Sequence, residues 1–262
     1  MLLIKDILKR TFLYRVIASF GTRKQHLRWT AHDQEMLEFY RHVVGPGTLC
    51  FDVGANVGNR VKVFLRLDAR VVAVEPQDEC ARRLRALYGA NPHMTVVQAA
   101  VGESEGEAEL MISNANTLSS VSKEWIEAVR KSGRFSGYRW NKRQLVPMTT
   151  LDKLIEQYGA PSFIKIDVEG LEYQVIKGLS RPIATLSLEF TPEYLDSTFK
   201  CFEHLQRLGE IRLNYSQGET MRFALGEWVS PEQMVGILSG LRGDSRIFGD
   251  VYVRFPKVVR RQ

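Results

Sequence analysis

The sequence predicts an α/β fold: a mostly parallel central sheet with helices on both faces and an antiparallel strand near the C-terminal end. From residue 48 to 190, short apolar runs alternate with amphipathic stretches, the pattern of strand and helix in turn. The tail then changes rhythm. Two period-two segments, 210–215 and 250–255, flank a helical stretch at 230–241. Of 262 residues, 44% are hydrophobic and 25% charged, a balance that excludes a disordered or low-complexity chain.

Residues 3–20 place Leu3, Ile4, Ile7, Leu8 and Tyr14 on one helical face with Lys5 and Lys9 opposite. Packing on the domain, with the basic face in solvent, is the expectation, because Asp6 and Arg15 interrupt the pattern. Peripheral contact with an anionic membrane surface is the alternative. A second helix is expected at 31–44, opened by Thr30 with Asp33, whose side chains suit the free N–H groups of a first turn. Gly45, Pro46 and Gly47 stop it. We therefore divide the chain into an N-terminal helical segment, 1–47, and one domain, 48–262.

Within the domain, strands are expected at 48–53, 70–75 and 94–98, with helices at 58–67 and 77–89 between them. A further strand is read at 107–112. Residues 113–146 break the alternation with polar residues, a helix at 122–131 and the aromatics Phe135, Tyr138 and Trp140. This stretch reads as an insert on the substrate side, its aromatics, with Trp125, serving either as a lid or as a cover for the sheet edge. Alternation resumes with helices at 149–158 and 170–178 and strands at 162–168 and 184–190.

Charge narrows the partners. Residues 1–28 carry seven basic side chains against Asp6, and 254–262 carry four, out of a total net charge of +6. The stretch between is therefore mildly acidic, which argues against a nucleic-acid groove across the core. No run reaches the roughly 18 apolar residues a spanning helix needs. Cys50, Cys80 and Cys201 are too few for a disulfide scaffold. A cytoplasmic protein, with membrane association as the variant, is expected.

The strongest local motif is 52–58: Asp52, Gly54, Asn56 and Gly58 between a strand and a helix. Glycines there let a ligand approach the backbone, and the helix N-terminus behind offers free N–H groups. Asn56 tolerates positive φ better than most residues. Glu75 closes the next strand, where a carboxylate can accept both hydroxyls of a ribose. Dinucleotide enzymes and S-adenosylmethionine enzymes both use such an arrangement. The third glycine of the dinucleotide fingerprint is missing here. Asn59 and Arg60, directly after the loop, are more polar than such a helix start leads one to expect.

A second cluster follows the strand at 162–168: Asp167, Glu169 and Glu172, with Glu189 at the end of the next strand. Ligands gather at the C-terminal ends of parallel strands, so Asp167 and Glu169 should border the same crevice. Either suits a general base. The duller readings are that Asp167 orients a ligand's ammonium and that Glu169 caps the following helix.

The blocks 52–58, 74–76, 100–102, 149–152 and 164–172 together resemble the FkbM family of methyltransferases, over roughly 48–192. The resemblance implies a Rossmann-like class I methyltransferase fold that uses S-adenosylmethionine to methylate hydroxyls of sugars, glycan precursors or other small molecules. It implies that Asp52, Gly54 and Gly58, with Asn56, hold the methionine end. Glu75 would hold the ribose, while Pro76 and Ala100 would neighbour the adenine. Asp167 and Glu169 are the catalytic candidates. A magnesium-dependent variant is the lesser alternative: Asp167 and Glu189 end adjacent strands, but two carboxylates make a poor metal site. The histidines have no metal spacing, and no metal is assigned. A nucleic-acid methyltransferase is disfavoured, since the Asn/Asp-Pro-Pro-aromatic turn is replaced by 167–170. A non-catalytic cofactor-binding protein is the remaining rival.

Overall fold

The computed structural model describes residues 26–135, 137–244 and 246–259. The helix read at 3–20 lies outside the described residues. The strands are β1 (Leu49–Val53), β2 (Arg70–Val74), β3 (Met94–Val97), β4 (Ala100–Val101), β5 (Gly106–Ser113), β6 (Trp140–Thr149), β7 (Phe163–Ile166), β8 (Thr185–Phe190), β9 (Arg212–Gln217) and β10 (Gly249–Arg254). The helices are α1 (Ala31–Tyr40), α2 (Asn59–Arg66), α3 (Asp78–Tyr88), α4 (Lys123–Lys131), α5 (Leu151–Tyr158), α6 (Glu172–Lys177), α7 (Leu195–Leu208), α8 (Pro231–Ser239) and α9 (Pro256–Val259).

Seven strands form one sheet in the order β3-β2-β1-β7-β8-β10-β9. β10 alone runs against its neighbours, β8 and β9. The expected α/β class, parallel sheet and antiparallel C-terminal strand are all present. From β1 the chain first steps outward through β2 and β3. It then returns to β7 on the other side of β1, so the strand order reverses between β1 and β7. Ligands in open parallel sheets sit above such a reversal.

Both faces of β1 and β7 are buried, as helices on each side require. One face carries Phe51, Val53, Ile164 and Ile166 against residues of α5, α6, α7 and α8. The other carries Cys50 and Phe163 against Met36 and Tyr40 of α1, Phe64 of α2 and Leu84 of α3. All three cysteines are buried, and none forms a disulfide among the described residues. α1 begins with a capping box: Thr30 accepts from the Asp33 N–H at 3.1 Å, and Asp33 accepts from the Thr30 N–H at 2.7 Å. Such a cap contributes about 1 kcal/mol.

Three differences from the sequence reading stand out. α7 occupies 195–208, where no element was expected. Its polar start, Asp196 to Thr198, masks the helical spacing of Leu195, Phe202 and Leu205. β6 runs for ten residues through Lys142, Arg143, Gln144 and Pro147, a composition that hides a strand. Pro147 is tolerated because β4 joins β6 only at Met148 and Thr149, leaving Pro147 beside β5 alone. The strand read at 107–112 is real, but it belongs to a separate small sheet, β4-β6-β5. Among the described residues, no helix is long and apolar enough to cross a membrane.

Candidate active site

The turn after β1 is left-handed at Gly54 (φ 84°), Asn56 (φ 48°) and Gly58 (φ 87°). A Cβ at Gly54 would collide with the carbonyl oxygen of Asp167, so this loop and the one after β7 touch through backbone. Glu75, just past β2, stitches the turn: Oε2 accepts the Asn56 N–H at 2.8 Å and Oε1 accepts the Gln77 N–H at 2.8 Å. Burial pushes the Glu75 carboxyl up to about 7, against the pull of these N–H groups. Burial likewise raises Asp52 to about 7, although Lys165 and Arg60 draw it down. Asp52 Oδ2 and Asn56 Oδ1 are buried with no hydrogen-bond partner among the described residues.

The edge after β7 has a different construction. Lys165 points from mid-strand into the face shared with β1 and β10 and is 1% exposed. Its Nζ donates to Asp250 Oδ1 at 2.8 Å and Asp167 Oδ2 at 3.3 Å. Burial alone would lower the Lys165 ammonium pKa, but Asp167 and then Asp250 outweigh it and raise it. The Asp167 N–H continues the sheet to the Val53 carbonyl at 2.9 Å. Glu169 takes φ 53°, and its carbonyl accepts the Ser120 hydroxyl at 2.6 Å. Glu169 does not cap the next helix. Instead, Glu172 Oε1 accepts the Val168 N–H at 3.2 Å and the Gly170 N–H at 3.3 Å. Burial pushes Glu172 up to about 7.

The turn at Glu169 brings its carboxylate to those of Asp167 and Glu189, with oxygens of all three within 4.8 Å of one another. The sequence offered two carboxylates at adjacent strand ends, and the left-handed turn adds the third. Oxygen donors so grouped suit a hard cation or a proton shared between carboxylates.

One cleft, about 970 Å³ including its open mouth, joins the two edges. Its wall contains Asp52, Gly54, Asn56, Glu75, Pro76 and Ala100 with Asp167 and Glu169. Gly58 is absent from the wall and lies against Leu84 and Tyr88 instead. The sequence reading gave no site role to four further lining residues, Arg60, Lys165, Glu219 and Thr117. Lys165 was legible as the one charge in an otherwise apolar strand, and Arg60 as a charge at a helix start. Glu219 and Thr117 sit in segments without periodicity and gave no signal.

The insert contributes Thr117, Ser119, Ser120 and Val121 to this wall, beside Ala100. The Ser119 hydroxyl donates to Gln77 Oε1 at 3.1 Å, and Thr117 Oγ1 is buried without a partner among the described residues. The aromatics of the insert do not line the cleft. Trp125 is buried against Phe135, and Tyr138 and Trp140 pack on the same cluster, which forms the insert's own small core. The Trp140 indole N–H donates to the Leu118 carbonyl at 2.6 Å, anchoring the loop that carries Thr117.

A family model described as the methyltransferase FkbM domain matches residues 52–237. Among solved structures, the chain is similar to an O-methyltransferase from Bacillus cereus in complex with SAH, at 11% identity and TM-score 0.46, covering 96% of this chain and 89% of that one. It is also similar to a precorrin-6y C5,15-methyltransferase from Geobacter metallireducens GS-15, at 11% identity and TM-score 0.44, covering 85% and 87%. No curated protein matches the chain significantly.

Proposed function

The chain belongs to the FkbM methyltransferase family, and we propose that it transfers a methyl group from S-adenosylmethionine to a hydroxyl of a sugar, glycan precursor or other small molecule. The observation that carries this reading is the single cleft in which the glycine turn and Glu75 face the Asp167–Glu169 edge. Its unpartnered buried atoms, Asp52 Oδ2, Asn56 Oδ1, Arg60 Nε and Thr117 Oγ1, fit a ligand rich in donors and acceptors. When bound, S-adenosylmethionine supplies a methyl group on a positively charged sulfur, an electrophile that needs no further activation.

In this proposal Asp52 and the 54–58 turn receive the amino-acid end, Glu75 accepts the ribose hydroxyls, and Pro76 and Ala100 border the adenine. Gly58 supports the turn from behind. Lys165 ties down Asp167, so the acceptor's proton goes to Glu169. The remaining contribution is alignment: holding the hydroxyl in line with the departing sulfur supplies roughly 7–11 kcal/mol of the barrier.

Calorimetry with S-adenosylhomocysteine tests the cofactor half. Wild type should bind and Glu75→Ala should bind at least about tenfold more weakly, the cost of losing charge-assisted hydrogen bonds. Equal affinity removes the ribose assignment. Transfer that survives Glu169→Gln at full rate removes the base. Transfer abolished by chelator and restored by magnesium would reassign Asp167, Glu169 and Glu189 as metal ligands.

A further inference from the structure

The amino-acid end of the proposed cofactor is a zwitterion, and its carboxylate must enter a cleft whose wall is mostly anionic. Among the described residues, Asp52, Glu75, Asp167, Glu169 and Glu219 line it against two cations, Arg60 and Lys165. An unpaired carboxylate buried there would be strongly disfavoured, and a cation on the wall offsets that cost more fully than the neutral N–H groups of the turn.

Lys165 is already committed. Its ammonium bridges Asp250 and Asp167 beneath the cleft, and the Asp250 carboxylate is buried in the sheet beside it. Arg60 has capacity left. One guanidinium nitrogen donates to Glu219 Oε2 at 2.6 Å, and a second has only the soft Met36 sulfur at 3.0 Å. Nε is buried with no acceptor among the described residues. A guanidinium presents five N–H donors in a planar fork that matches a carboxylate. On the same wall, Asp52 Oδ2 is a buried anionic acceptor with no donor among the described residues. An unspent donor and an unspent acceptor in one cleft are the complement of an α-amino acid, carboxylate and ammonium.

We infer that Arg60 receives the α-carboxylate of the cofactor, making it a binding residue that the glycine-turn motif does not contain. Arg60 follows the turn by two residues, so α2 presents it from its first turn beside the groups that receive the ammonium. This inference rests on the S-adenosylmethionine reading above.

The test compares S-adenosylhomocysteine with 5′-methylthioadenosine, which shares the nucleoside and sulfur but lacks the amino-acid end. Isothermal calorimetry should find that Arg60→Met weakens S-adenosylhomocysteine by about tenfold to a hundredfold, the worth of a charge-assisted pair. Affinity for 5′-methylthioadenosine should stay within about twofold, which also reports an intact nucleoside site. Arg60→Lys, which keeps the charge but not the fork, should recover part of the loss. Full S-adenosylhomocysteine affinity in Arg60→Met overturns the inference, as does an equal loss for both ligands, which would make Arg60 a support for the fold. If wild type binds neither ligand, the cofactor reading itself fails.

Discussion

The loops after β1 and β7 are built alike and finished differently. Each follows a central strand of the sheet, and each contains left-handed residues: Gly54, Asn56 and Gly58 in the first, Glu169 and Gly170 in the second. Each is stitched by a buried glutamate that accepts two backbone N–H groups, Glu75 in the first and Glu172 in the second. Burial raises both carboxyls to about 7. The difference lies in what remains unsatisfied. The first loop leaves Asp52 Oδ2 and Asn56 Oδ1 buried and unpartnered, and Glu75 itself lines the cleft. In the second, Glu172 lies off the cleft, beside Trp125 and Thr198, and Ser120 and Lys165 hold the backbone and Asp167. The first loop is therefore a receptacle completed by ligand, and the second a platform completed by protein.

Gly54→Ala breaks both loops at once. The residue combines φ 84° with backbone contact to the Asp167 carbonyl, so neither relaxation of a side chain nor a rotamer change relieves the collision. The expected cost is about 3–5 kcal/mol in urea unfolding, among the largest single-residue effects. Loss of S-adenosylhomocysteine binding should accompany it. A variant with near wild-type stability would mean that the two loops are not locked together.

The glutamates separate receptacle from platform. Each carboxyl has an ordinary value of 4.5 and sits near 7 in the folded chain. A raised acid favours the folded state fully below pH 4.5, and that advantage is lost as pH climbs to about 7. Glu172→Gln keeps an oxygen for Val168 and Gly170 without a charge to bury. Its unfolding free energy should lose about 2 kcal/mol of the fall seen in wild type between pH 5 and pH 8. Glu75→Gln should flatten the same profile. Of the two, only Glu75→Gln should weaken the pH dependence of S-adenosylhomocysteine binding, the rest coming from Asp52, which burial also raises to about 7. In wild type the Glu75 part of that dependence should be a drop of about fivefold from pH 7 to pH 6, because ribose hydroxyls donate to the ionised carboxylate. If Glu172→Gln lost this dependence equally, the two loops would not differ in function.

This contrast also explains how much could be read without a structure. Gly54, Glu75, Asp167 and Glu169 were legible because each stands at a strand end, and period and strand order place strand ends at one edge. The sheet itself was legible for the same reason, since apolar runs such as 163–166 have no other use. Arg60 and Lys165 were visible as charges in wrong places, but only three-dimensional pairing with Glu219 and Asp250 reveals which is already spent. Thr117 could not be found. It lies in a single 3₁₀ turn, Asn116–Leu118, whose place on the cleft is set by Trp140 of β6, which donates to the Leu118 carbonyl, and by the bond from nearby Ser120 to the Glu169 carbonyl, contacts that no local pattern announces.

Thr117 gives the smallest predicted effect and the most discriminating sign. If unsatisfied buried atoms mark the surface that ligand completes, the idea must hold beyond the first loop. Thr117→Val preserves shape and removes a buried hydroxyl that has no partner among the described residues. The free protein should then gain about 1 kcal/mol in unfolding free energy, because desolvating that hydroxyl was uncompensated. The stabilisation added by saturating S-adenosylhomocysteine should shrink by a similar amount, since the ligand loses a partner. Opposite signs from one substitution require the hydroxyl to be idle without ligand and engaged with it. A decrease in both quantities would mean that Thr117 is bonded within the free protein, and that unpartnered atoms outside the 54–58 turn do not report the cofactor surface.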